Sequence, residues 1–245
     1  MRNMGQRMMV IAAHMGDFVW RCGGSIAKYT EEGNEVLVLV LSSGIRGEAN
    51  DYWAKEGANM EAGISERLSE GKRAAGELGV KNFEFWDLPD YPMPIGTELI
   101  EKLAHKMREF RPDFVVTHDV YDAYNPDHDA VREAVRKAYA AAFGAGFQDG
   151  LQVLPRRMTI FGFEPHNTEL CGFKPGIYVD ITAQIEKKQA AMRVFQSQPS
   201  MYHAYMRKAE IRGSEAAARC GCKGCRYAEA FTLGGPIGAS GRFVW

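Results

Sequence analysis

Along this chain, short unbroken apolar runs alternate with longer stretches in which apolar residues recur every three or four positions. Residues 8–13 (MVIAA after Met8) and 36–41 (VLVLVL) are the runs of a strand covered on both faces. Residues 83–88, 113–117 (DFVVT), 159–163 and 177–181 read as four further strands. Between them, residues 25–32 form a helix closed by Gly33-Asn34, and Ile64, Leu68, Ala75 and Leu78 mark one face of a helix ending near Gly79. Ile100, Leu103, Met107 and Phe110 mark another. Asn125-Pro126 is a capping residue followed by proline at the first helical position, and the helix it opens continues through Val131, Val135 and Ala142.

Strands alternating with helices imply an α/β fold, a Rossmann-like and mostly parallel sheet with helices on both faces. The expected organisation is one domain, with a sheet core at 1–182 and a helical C-terminal extension at 183–245. That extension breaks at Gln198-Pro199-Ser200 and ends in a glycine-rich tail from 234, either packed on a neighbouring subunit or loose.

Composition narrows the function classes. The 245 residues are 46% apolar and 25% charged, and 30 Lys+Arg against 31 Asp+Glu leave a net charge of −1, so no electrostatic footprint for nucleic acid or an anionic membrane is present. No apolar run approaches the roughly 18 residues of a bilayer span. Arg2 and Arg7 before the first run imitate a secretory leader, but His14 and Asp17 cut that run short. Five cysteines make no even disulfide framework, and reduced thiols in a cytoplasmic protein are expected. Met1, Met4, Met8 and Met9 read as strand and core filling.

The chemistry-bearing residues cluster where strands end. His14 and Asp17 follow the first strand (AAHMGD), and Asp127 and His128 open the helix after the fourth (NPDH). Loops after the strands of such a sheet gather at one edge, so these groups converge although more than a hundred residues separate them. Either histidine alone reads more simply as a loop histidine bonded to a carbonyl. Together with Asp17 they form the His, Asp, His set of a catalytic zinc site with an open position. A helix N-terminus keeps His128 neutral, the form that binds metal, and Asp127 or another carboxylate is expected to orient a ring from behind. The first turn lacks G-x-G-x-x-G and places bulky Phe18 and Trp20 where a dinucleotide would approach, so NAD is set aside.

AAHMGD followed by FVWRCGGSIA resembles the AHPDD signature of the PIG-L/LmbE zinc-dependent deacetylase family, and YNPDH resembles that family's HPDH signature. The likeness runs through nearly the whole chain. It implies one Zn²⁺ per subunit on His14, Asp17 and His128, and a homo-oligomer. Two departures stand out. The family's general base is the first aspartate of its DD pair, and Gly16 stands there; the first histidine of HPDH is replaced by Asn125, which donates a hydrogen bond but carries no positive charge. Loss of a positioned base costs roughly 10²–10⁴ in rate. The 4-oxalomesaconate (4-carboxy-2-hydroxymuconate) hydratase branch of the superfamily replaces both positions in this manner, and the chain resembles it at DFVWRCGG, YNPDH, FEPH with CGFKP, and RYAEAF.

Hydrating a double bond conjugated to an oxo acid needs a Lewis acid, a base for water and an acid for carbon. Glu48, in GIRGE beyond the second strand, is the expected base; paired at the surface with Arg46 it would instead be inert. His166, in FEPH, is the expected acid, with a solvated loop histidine as the alternative. A polycarboxylate substrate calls for donors, and Arg46, Lys174 and Asn125, then Arg21 and Tyr124, are nearest by motif. A PIG-L type N-acetyl deacetylase using Glu48 or Asp127 as base, and a catalytically silent metal- or sugar-binding relative, remain the other readings. His118 is expected to support the site from behind or to be structural, and His105 and His203 to be solvated. Cys220, Cys222 and Cys225 resemble half of a zinc knuckle for which Cys171 or a neighbouring subunit would have to supply a fourth ligand; reduced thiols are the plainer reading.

Overall fold

The computed structural model describes residues 5–155 and 158–234. The glycine-rich tail, Met1 and Met4 lie outside the described residues, Gly234 excepted. Seven strands are present among them: β1 (Arg7–Ala12), β2 (Glu35–Ser42), β3 (Asn82–Leu88), β4 (Phe114–Thr117), β5 (Thr159–Phe163), β6 (Ile177–Asp180) and β7 (Ala228–Leu233). They form one sheet in the order β3-β2-β1-β4-β5-β7-β6. From β3 to β5 every neighbouring pair is parallel, and β7 runs antiparallel to both β5 and β6.

The even spread of apolar residues in β1 and β2 has a direct cause. Met8, Val10, Ala12, Val36, Val38 and Val40 face one core layer, while Met9, Ile11, Ala13, Leu37, Leu39 and Leu41 face the other. On the first face lie α1 (Asp17–Glu31), α4 (Met60–Glu77), α7 (Ile185–Arg193) and α8 (Met201–Arg219), and on the second α5 (Thr97–Phe110) and α6 (Pro126–Phe143). Two one-turn helices, α2 (Ile45–Glu48) and α3 (Asn50–Trp53), sit in the loop after β2.

Two sequence expectations change. The first helix begins at Asp17, eight residues earlier than its apolar pattern suggests, and absorbs the Cys22-Gly23-Gly24 stretch through a kink at Cys22. The stretch from 183 is helical only to Arg219; it then returns to the sheet as β7, inserted between β5 and β6. Glu229 on β7 explains the insertion. Its buried carboxylate accepts from the Gly24 and Ser25 amides (2.9 and 2.8 Å), from Ser25 Oγ and from Lys188 Nζ, which ties α1, α7 and β7 together.

Strand order reverses direction between β1 and β4, so the loops leaving their carboxyl ends diverge and open a crevice, the usual ligand position in an open α/β sheet.

Candidate functional site

The β1–α1 loop is short, and Asp17 closes it by accepting the His14 amide on Oδ2 at 2.9 Å. This turn aims the His14 ring into the crevice. Across the switch point, Asn125 caps α6 by accepting the His128 amide on Oδ1 (3.3 Å), with Pro126 at the first helical position, so His128 projects from the first turn toward His14. The ring centroids are 5.3 Å apart. Glu48 arrives from α2.

Donor atoms of His14, Asp17, Glu48 and His128 all lie within 4.8 Å of one another. His14 Nδ1 is 3.7 Å from Asp17 Oδ2 and 3.1 Å from Glu48 Oε1; His128 Nε2 is 3.4 Å from Asp17 Oδ1 and 3.7 Å from Glu48 Oε1. Ligand atoms around a tetrahedral metal with bonds near 2.0–2.1 Å are separated by about 3.3 Å, so these spacings fit a single ion. A second observation agrees: His14 Nδ1 and His128 Nε2 are fully buried yet make no hydrogen bond. Orphaned, inward-facing imidazole nitrogens are what a metal ion satisfies.

The opposite nitrogens are committed. His14 Nε2 donates to Asp127 Oδ2 at 3.1 Å, and His128 Nδ1 donates to Asp122 Oδ2 at 3.0 Å. Once the His14 proton facing Glu48 is lost to a metal, each carboxylate would fix the tautomer that turns the inner lone pair toward the ion. Asp127 is itself anchored by the Tyr91 and Met93 amides (2.9 and 2.8 Å), and the Tyr91 ring stacks on His14. Gly47 permits this stacking, because a Cβ there would stand 2.3 Å from the Tyr91 ring. His118 supports the site from behind: its Nε2 accepts the Ala13 amide (3.2 Å), and its ring stacks on His128 with centroids 4.1 Å apart.

Charge in the metal-free cluster is carried by His14. Burial disfavours its imidazolium, but Glu48, Asp127 and Asp17 outweigh burial and push it up to about 10. Glu48 answers in kind; burial would raise it, and facing His14 lowers it to about 2. Burial and the neighbouring His128 push His118 down to about 3, which keeps it neutral. Asp122, despite burial, is lowered to about 2 by its bond to His128.

A cavity of about 300 Å³ opens above the cluster, lined in part by Glu48, Tyr91, Asn125, His166, Gln198 and Tyr205. Arg21 and Tyr124 also line it. The Arg21 donors are largely committed, Nε to Asp17 Oδ1 (3.1 Å) and Nη1 to the Glu164 carbonyl (2.8 Å), so it holds a cluster carboxylate in place. Asn125 Nδ2 donates to Glu48 Oε1 at 2.9 Å. His166 stands exposed at the rim, and burial of part of its ring plus Lys208 and Arg21 lower its pKa.

Two residues named from sequence motifs are elsewhere. Arg46 is not among the lining residues; its guanidinium turns to the Asp90 carbonyl (3.2 Å), half exposed. That also removes the surface pairing of Arg46 with Glu48. Lys174 is exposed and likewise outside the lining. Asp122 and Tyr91 were not singled out. Asp122 is six residues before His128, in the loop that leads into α6, and asking which carboxylate can reach the outer nitrogen of that histidine finds it; nothing in the sequence marks Tyr91.

The glycine at the base position has a structural counterpart. A Cβ on Gly16 would lie 2.3 Å from Trp20 Nε1, 2.9 Å from Trp20 Cδ1 and 3.0 Å from Gln198 Oε1. The indole fills the space a side chain would need, and it is held there between Phe195 and Tyr205, with ring centroids 5.3 and 5.9 Å away.

Comparison with known proteins agrees with this arrangement. The family profile described as PIG-L, GlcNAc-PI de-N-acetylase, matches residues 9–139. A 4-oxalmesaconate hydratase of Pseudomonas putida is 35% identical over 234 residues, covering 93% of this chain and 90% of the relative. The crystal structure of GalB, the 4-carboxy-2-hydroxymuconate hydratase from Pseudomonas putida KT2440, superposes with a TM-score of 0.92 at 32% identity, over 97% of this chain and 100% of that one. A diacetylchitobiose deacetylase of Thermococcus kodakarensis is 30% identical over 199 residues, 79% of this chain and 70% of the relative. With the matched segment spanning His14 through His128, and a hydratase alike over nine-tenths of its length, the chain belongs to the PIG-L family.

Proposed function

We propose that this chain is a zinc-dependent hydratase that adds water to a carbon–carbon double bond of an unsaturated oxo-polycarboxylate, with 4-oxalomesaconate as the substrate and 4-carboxy-4-hydroxy-2-oxoadipate as the product. One observation carries the choice of hydration over amide hydrolysis: the deacetylase base position is Gly16, and Trp20 occupies the space beside it, while a different carboxylate, Glu48, stands at the cluster. The hydratase relatives, alike over nearly the full chain, support the same reading.

His14, Asp17 and His128 would hold the zinc, which when bound supplies a Lewis acid for an oxygen pair and for enolate charge. Glu48 takes the proton of the attacking water. In the metal-free chain the His14 imidazolium keeps its carboxylate ionised, a role the zinc charge would take over when bound, and the Asn125 amide aims it at 2.9 Å. His166, at the rim, delivers a proton to carbon. In the free chain partial burial, Lys208 and Arg21 lower its pKa, and an anionic substrate beside it would raise its proton affinity. Asn125 orients the base, while Tyr124 and the remaining lining amides and hydroxyls face the substrate carboxylates. Arg21 keeps Asp17 in register. Arg46 and Lys174 have no part in the cavity.

Among the described residues no helix is long and apolar enough to cross a membrane, and the cysteines are free thiols, which fits a reducing, cytoplasmic setting. The test is a pair of assays on the purified zinc-loaded protein. Hydration removes the conjugation of 4-oxalomesaconate and with it the ultraviolet absorbance, whereas deacetylation releases a free amine from N-acetylglucosaminides. Loss of absorbance without amine release is expected. The converse result overturns the proposal in favour of a deacetylase with Glu48 as base, and inactivity toward both with zinc bound marks a silent relative.

A further inference from the structure

A second set of metal-ligating side chains lies away from the crevice, at the β6 edge of the sheet. After α8 ends at Arg219 the chain turns sharply through Cys220, Cys222 and Cys225. The turn uses left-handed backbone at Gly221 (φ +68°) and Gly224 (φ +84°), where a side chain would be strained. The Cys220 and Cys222 amides both donate to the Ala216 carbonyl, and the Cys225 amide donates to the Cys222 carbonyl at 3.1 Å. These bonds fold the two thiols of C-x-x-C back onto one another.

The partner is a carboxylate that sequence spacing could not supply. Asp180 ends β6 opposite Ala228 of β7, and this pairing carries it alongside the turn, more than forty residues away in sequence. Its Oδ1 is fixed by the Thr182 amide at 2.9 Å, and its Oδ2 faces Cys222 Sγ at 3.8 Å. Thr182 Oγ1 in turn accepts the Arg226 and Tyr227 amides (2.9 and 3.2 Å), locking the exit of the turn to the end of β6. The two sulfurs and one carboxylate oxygen lie within 4.8 Å of one another. Around a tetrahedral zinc, a sulfur and a carboxylate oxygen would be about 3.5 Å apart and two sulfurs about 3.8 Å. Cys171 is no part of this group; its sulfur lies 3.6 Å from Asp122 Oδ1 beside the crevice.

We propose that Cys222, Cys225 and Asp180 supply three ligands of a second zinc ion, structural rather than catalytic, with the exposed Cys220, two residues before Cys222, as the fourth. Two thiolates select zinc over magnesium or calcium, and a carboxylate held by a backbone amide is the ligand environment of a rigid site. The local packing leaves a role for it: the apolar cluster beneath the turn has only Ala216, Cys225 and Ala228 as buried members. The ion would clamp the end of α8 to β6 and the start of β7.

The experiment counts metal in the full-length protein, purified under reductant without chelator. Two zinc ions per chain are expected in the wild type. His14→Ala should retain one, and Cys222→Ser combined with Cys225→Ser should also retain one, now in the crevice. After cobalt replacement, thiolate-to-cobalt charge-transfer absorption should appear in the wild type and in His14→Ala and vanish in the double cysteine variant. One zinc per chain in the wild type, with both thiols reacting freely with a thiol reagent, overturns the proposal, as does a Cys222–Cys225 disulfide in reductant. Should the double variant fail to fold, His14→Ala decides alone: cobalt bound without charge-transfer absorption refutes the site.

Discussion

Replacing Gly16 by alanine separates two opposing effects whose balance the structure decides. Gly16 has φ −90° and ψ −21°, right-handed backbone open to any L-residue, so the substitution adds no backbone strain. Fewer unfolded conformations should then stabilise the variant by about 0.4–1 kcal/mol. Against this stands the new Cβ, 2.3 Å from Trp20 Nε1 and 3.0 Å from Gln198 Oε1. Neither neighbour retreats cheaply: Trp20 is wedged between Phe195 and Tyr205, and Gln198 Oε1 accepts Arg67 Nη1 at 2.7 Å. Overpacking of this kind costs about 1–3 kcal/mol. At 2.3 Å the overlap belongs in the upper half of that range, about 2–3 kcal/mol, so the clash wins, leaving a net loss of roughly 1–2.6 kcal/mol, or a Tm lower by roughly 2–10 °C for a domain of this size. Gly16→Asp adds a buried carboxylate to the same overlap and should fall further, with no gain of amine-releasing activity. Scanning calorimetry of the three proteins reads the order. An unchanged or raised Tm in Gly16→Ala, or deacetylation by Gly16→Asp, would refute the idea that Trp20 has closed the base position.

Asp127→Asn and Asp122→Asn each replace an anionic acceptor behind a ring nitrogen, and zinc affinity measured by chelator competition should drop about 10- to 100-fold in each; unaltered affinity means the pairs do not set the tautomers. Metal binding should also weaken with acid: His14 holds a proton up to about 10 in the metal-free chain, so at pH 6–9 binding expels it and affinity falls about tenfold per pH unit lowered, with proton release visible by calorimetry in buffers of different ionisation heat. No proton release at pH 8 counts against that charge assignment. His166→Gln should lower kcat roughly 10²- to 10⁴-fold while leaving zinc content intact, and turnover equal to the wild type removes His166 from the reaction.

The parts of the site legible in the sequence are those fixed by local rules. The valine and leucine alternation of β2 serves two core layers, and the Asn125-Pro126 cap places His128 where a helix start requires it. What escaped depends on contacts between distant segments. β7 is a short run whose place between β5 and β6 depends on Glu229 meeting α1 and Lys188, which no periodicity encodes. Asp180 joins the cysteine turn only through β6–β7 pairing. Arg46 and Lys174 share motifs with candidate site residues, yet near neighbours in sequence on a one-turn helix point different ways: Glu48 enters the crevice and Arg46 leaves it toward Asp90. Trp20 could be read as bulk at the first turn, but that its ring takes the room of residue 16 needed coordinates.

In the proposed reaction Glu48 works beside a metal held by His14, Asp17 and His128. The direct measurement follows the ultraviolet absorbance of 4-oxalomesaconate with zinc-loaded wild type, chelator-stripped wild type and Glu48→Gln, each with its metal content determined. The loaded wild type should consume the substrate, the stripped protein should not, and Glu48→Gln should keep its zinc while slowing roughly 10²- to 10⁴-fold. Undiminished turnover by zinc-loaded Glu48→Gln, or by the stripped protein, would contradict it.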